Sequence, residues 1–179
     1  MKTILFVPFR DYFQSRKQIA IRFLVPLGVG IIALIGAFIL NIGTVETIKS
    51  TFADFIAVQI NIVAILVSFS VAIISILVTT DSKNIKRLRE TPSDVNDYKP
   101  INQQQPSLFQ VLLSNIAYNV VVEILYLMLL IGISLLSVII PIILLKYITA
   151  ICIAVIVHIL SVLLESVAQM YLTFWSPQE

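Results

Sequence analysis

Residues Phe55–Thr79 read FIAVQINIVAILVSFSVAIISILVT, a run that no charge interrupts. A helix needs about 20 apolar residues to cross the roughly 30 Å hydrocarbon layer of a bilayer, so this stretch reads as a membrane span. An earlier uncharged segment over about 23–40 is just long enough for another. After a polar stretch, one apolar block runs from about Val120 to Leu172. It is too long for one helix and long enough for two joined by a tight turn. Pro141 and Lys146 place that turn near 141–147, because proline ends a helix and lysine can reach the headgroups. The expected fold class is an all-α integral membrane protein, a four-transmembrane-helix bundle.

Composition points the same way. Of 179 residues, 59% are hydrophobic and 12% charged, about half the charged fraction of a soluble domain. Mean hydropathy is +1.00. These values exclude an ordinary soluble globule and a disordered chain. The lone Cys152 forms no intrachain disulfide, and with the lone His158 it makes a poor metal set, so neither metal nor other cofactor is expected. A net charge of +2 gives no reason to expect a nucleic-acid partner. No phosphate-binding loop, paired metal motif or nucleophile elbow occurs. Ser161, His158 and Glu165 share one helix face, which does not aim a nucleophile at a base as separate elements would. The chain reads as non-enzymatic.

The cations set a direction. Of the 12 Lys and Arg residues, five precede Phe23 and five more, Lys83, Lys86, Arg87, Arg89 and Lys99, lie between the second and third spans. The other two loops hold only Lys49 and Lys146. This positive-inside pattern predicts cytoplasmic termini in a cytoplasmic (inner) membrane. The chain then divides into an interfacial segment (1–22), a first hairpin (23–79, spans 23–40 and 55–79), a cytoplasmic loop with helix extensions (80–118), a second hairpin (119–173) and a tail (174–179). Within the loop, Ser82 to Glu90 can extend the second helix, with Ile85 and Leu88 on one side. Pro92, Pro100 and Pro106 break regular structure, and Ser107 with Gln110 reads as a capping box opening the third long helix near residue 108. Tyr171, Phe174 and Trp175 form an expected aromatic anchor.

Polar groups inside spans call for partners or a function. In the second span Ala57, Asn61, Ala64, Ser68, Ala72, Ser75 and Thr79 share one face, and in the first Gly30, Ala33, Gly36 and Ala37 offer a matching small surface. Such faces pack helices closely, or line a water path. A hairpin centred near Leu144 would set Glu123 level with Glu165 and Asn119 level with Gln169. Two carboxylates at one depth would share a proton. His158, Ser161 and Glu165 form a row of the kind a proton relay uses.

These features suggest a self-associating subunit that presents 1–22 and 80–118 to a cytosolic protein partner, with Lys83, Lys86, Arg87 and Arg89 in contact with that partner or with anionic lipid. The layout, though no residue motif, is similar to four-span membrane subunits of bacterial defence operons and to colicin-type immunity proteins, where it implies a membrane sensor or anchor. The alternatives are an oligomeric ion or proton channel or small transporter built on the intramembrane Glu, His and Asn residues, and a holin- or toxin-like membrane-disrupting protein.

Overall fold

The computed structural model describes residues 7–39, 44–95, 97–100 and 104–175, the last four by backbone alone. It is helical, with no strand among the described residues beyond two isolated bridges. In chain order the helices are α1 (Val7–Ser15), α2 (Ile19–Ile39), α3 (Val45–Thr79), α4 (Lys83–Glu90), α5 (Leu108–Leu136) and α6 (Ile142–Trp175). Four of them, α2, α3, α5 and α6, are long and apolar enough to cross a membrane. The expected anchor residues Phe174 and Trp175 lie outside the described side chains. Tyr171 is exposed.

Contacts divide the chain into two units. The first comprises Met1–Ala20, Phe69–Val122 and Leu160–Glu179, and the second Ile21–Ser68 and Glu123–Ile159.

In the second unit, α2 carries Pro26 inside the helix and buries it together with Gly30. Gly30 is the point of closest approach to α6. A Cβ placed there would lie 2.9 Å from Ala154 Cβ and 3.3 Å from the Ala150 carbonyl. A Cβ placed at Gly36, expected on the same packing surface, would meet nothing within 4 Å. Helix α3 begins at Val45, ten residues before the expected span. Thr44 caps it, accepting a bond from the Thr47 amide at 3.3 Å, and Glu46 in the first turn complements the positive end of the helix. With 35 residues it is about 52 Å long. The α5–α6 turn falls at 137–141, not 141–147. Pro141 precedes the first residue of α6 and accepts from the Leu145 amide at 3.1 Å, so it starts the second helix of the hairpin. Lys146 therefore lies within α6, its ammonium 5.0 Å from the centre of the Phe38 ring. Lys49 donates to the Val138 carbonyl at 3.0 Å and ties α3 to the turn.

In the first unit, α4 is a separate helix, not an extension of α3. Ser82 caps it by accepting from the Ile85 amide at 3.3 Å. Ile85 and Leu88 face inward and join Leu77, Leu112 and Ile116 in an apolar core, against which Phe109 and Met170 pack. The capping box at the head of α5 is complete. The Gln110 amide donates to Ser107 Oγ at 3.2 Å, and the Ser107 amide donates to Gln110 Oε1 at 2.9 Å. Ser107→Ala is expected to lower stability by about 1 kcal/mol, measured by thermal unfolding in detergent. Ser107→Asp should keep most of it.

The stretch 91–107 is pinned at two places. Pro92 bridges to Ser107, with the Ser93 amide donating to the Pro106 carbonyl and the Leu108 amide to the Thr91 carbonyl, both at 2.9 Å. Tyr98 bridges to Arg16, with the Lys99 amide donating to the Ser15 carbonyl at 2.8 Å and the Lys17 amide to the Asp97 carbonyl at 3.1 Å. The side-chain amide of Gln105 donates to Ser93 Oγ at 3.2 Å inside this loop. Pro92, Pro100 and Pro106 lie outside helix, as expected, and the bridges satisfy backbone groups beside Pro92 and Pro106.

Candidate functional site

The first unit is organised around Arg16. Helix α1 buries Tyr12 and Ser15 and ends at Ser15. Arg16 then leaves the helix in the bridge to Tyr98, which points its side chain inward. It is 1% exposed. Its Nη1 donates to both carboxylate oxygens of Glu165 at 3.2 Å, and its Nη2 donates to Asn115 Oδ1 at 2.6 Å. The guanidinium lies 4.4 Å from the centre of the Tyr12 ring and 5.6 Å from that of Tyr98. Gln169 closes the circle. Its amide nitrogen donates to Glu165 Oε1 at 3.2 Å and to the Tyr98 hydroxyl at 2.8 Å, while its oxygen accepts from Asn115 Nδ2 at 3.4 Å. Behind the guanidinium, Tyr12 stacks on Tyr118 with centroids 3.8 Å apart and planes 6° apart.

Physically, this is a charge moved out of water, with Nη1 and Nη2 matched by Glu165 and Asn115 and Nε left without a hydrogen bond among the described residues. A buried guanidinium is tolerated where its fork meets a carboxylate and its remaining donors meet acceptors. Aromatic faces add a further attraction for the cation. Four separate stretches of chain meet at it: the end of α1, the loop at Tyr98, α5 at Asn115, and α6 at Glu165 and Gln169.

The geometry revises several expectations. Within the segment read as interfacial (1–22), Tyr12 and Arg16 are buried, and Ile19 already begins α2. Asn115 bonds Gln169, and Arg16 joins Asn115 to Glu165. Glu123 belongs to the second unit and Glu165 to the first. Glu165, the expected acid of the His158–Ser161–Glu165 row, has its charge matched by Arg16. Asn119 is buried in α5, and Ser161 is half-buried in α6.

In the second unit Glu123 is fully buried, and the Tyr126 hydroxyl donates to the Cys152 carbonyl at 3.0 Å. His158 is buried and stacks on Phe23, centroids 4.6 Å apart and planes 14° apart.

Comparison of the chain with protein-family models, curated proteins and solved structures gives no significant match. What the site does has to be argued from its own chemistry. The Arg16 network joins separate segments of the chain, as a clasp does.

The face of α3 departs most from expectation. Ala57, Asn61, Ala64, Ser68, Ala72, Ser75 and Thr79 are all exposed. In the second unit the residues of α3 that turn inward are Phe52, Ile56, Gln59 and Val63. Ser68, Ser75 and Thr79 spend their hydroxyls on carbonyls one turn back, at 3.0, 2.9 and 2.7 Å. On α4, Lys83, Lys86, Arg87 and Arg89 are exposed. Arg89 also covers the Phe109 ring at 4.8 Å.

Arg16, Tyr12 and Tyr98 were missed by the sequence reading. The available signal was electrostatic: a carboxylate within an apolar helix needs a cation. The sequence held several, and nothing local singled out Arg16.

Proposed function

We propose that the chain is a non-enzymatic, self-associating multi-pass subunit of a cytoplasmic membrane, with both termini and 80–118 on the cytoplasmic side. Its first unit is a preformed docking face for a soluble partner. The Arg16 network carries this reading. It fastens the N-terminal segment and the 91–107 loop onto α5 and α6. A face ordered in advance spares the entropy that a slack loop would lose on binding. The cations of α4 stand outside it, suited to an acidic partner surface. In the layout of defence and immunity subunits, such a face would report a membrane event to that partner.

The test replaces Lys83, Lys86 and Arg87 with glutamate. A photo-crosslinker at Asn84, exposed between them, is expected to give a soluble-protein adduct in cells. The triple variant should lower its yield at least about tenfold, because like charges across an interface cost several kcal/mol. The variant should fold normally. A cysteine at position 84 that reacts with an impermeant reagent from outside intact cells would refute the orientation, and an unchanged adduct would refute the docking face.

A second reading, an oligomeric channel, draws on the outward polar face of α3. Conductance of the reconstituted chain, altered by Asn61→Leu, would favour it.

A further inference from the structure

A polar group in mid-span needs a partner, because lipid offers none. Asn61 stands near the middle of α3, exposed, and no hydrogen bond from its side chain is formed among the described residues. The serine and threonine hydroxyls of this face can bond their own helix, as three of them do. Nothing among the described residues bonds the Asn61 amide, and a second copy can match it.

The spacing around Asn61 says what could match it. Ser50, Asp54, Ala57, Asn61, Ala64 and Ser68 are all exposed and recur at steps of four and three. They form two series seven residues apart, Ser50–Ala57–Ala64 and Asp54–Asn61–Ser68, and a repeat of seven in two turns keeps one seam facing a partner helix in a left-handed supercoil. The seam residues are small. Larger exposed residues, Val58, Ile62 and Ile65, flank them and offer surface to lipid. Asp54 stands at the seam's end, where two carboxylates can turn apart toward water.

We infer that α3 is the self-association helix, and that two copies of this chain meet along this seam in parallel with their Asn61 amides bonded to each other. All copies insert in the same direction, so Asn61 meets Asn61 at one depth. A carboxamide carries both donor and acceptor, so two of them satisfy each other across a two-fold axis. Alanines on either side let the backbones come close enough for that bond. This inference rests on the self-association in the proposed function and assigns it to one face.

The experiment uses the full chain in lipid vesicles with Cys152 replaced by alanine, and single cysteines at 57, 58, 61, 62, 64, 65 and 68. Oxidative crosslinking is expected to peak at 57, 61, 64 and 68 and to be weak at 58, 62 and 65. By fluorescence energy transfer between copies, Asn61→Leu should weaken association about five- to thirtyfold, the effect of one interhelical amide bond in model helices. Asn61→Gln should restore most of it. Dimers whose crosslinks peak elsewhere, or that Asn61→Leu leaves unchanged, would overturn the seam while leaving self-association standing. A chain that stays monomeric at every protein-to-lipid ratio would overturn both.

Discussion

Arg16→Ala is expected to destabilise the protein by about 3–5 kcal/mol, the effect of removing one partner of a buried ion pair. The loss is large because one side chain serves three others. Glu165 loses two donated bonds, Asn115 loses its shortest, and the Tyr12 ring loses its cation. Arg16→Lys should recover part, since a single ammonium cannot reach both Glu165 and Asn115 with a planar fork. Glu165→Leu alone should be equally damaging, because it strands a guanidinium that is 1% exposed. The double variant Arg16→Met with Glu165→Leu should lose much less than the two single losses added, since neither charge is then left alone. Thermal unfolding in detergent gives the energies. Proteolysis adds a local readout, because cleavage in 7–18 and 91–107 should rise together when the bridge between Arg16 and Tyr98 opens. An Arg16→Ala protein within about 1 kcal/mol of the parent would show that the network does not hold the unit together.

Gly30→Leu is the second large effect. Even a Cβ at this position would lie 2.9 Å from Ala154 Cβ and 3.3 Å from a backbone oxygen. Three further carbons have nowhere to go unless α2 and α6 separate. Overpacking of this kind costs about 1–3 kcal/mol or more, and the close helix contact is lost with it. Gly36→Ala is the matched control. It meets open space and replaces the poorest helix former after proline, so it should be neutral or stabilise by about 0.5–1 kcal/mol. If both variants unfold at one temperature, Gly30 is no contact point.

What could be read in advance follows physical range. The four spans were legible because hydrophobic length is a property of each segment alone. The Ser107–Gln110 box and the inward side of α4, Ile85 and Leu88, were legible because their partners lie within a turn or two. Pro141 misled the placement of the turn, since proline starts a helix as readily as it stops one. The face of α3 misled for a different reason. In water a polar face points outward and an apolar face inward. In lipid both directions are apolar, so small residues mark a helix contact without saying whether the neighbour belongs to the same chain. The Arg16–Glu165 pair spans 149 positions, and no local pattern encodes which of several cations will reach a given acid.

That separation also sets an order of events during synthesis. Arg16 leaves the ribosome early, whereas Glu165 is among the last residues of α6 to follow. At about 5–20 residues per second, the interval is roughly 7–30 s. Throughout it the arginine has no counter-ion, and the tyrosines stacked behind it have no reason to settle. Closure of the clasp therefore waits on α6. A chain without α6 would lack Glu165 and Gln169, and α1 would be open to proteolysis.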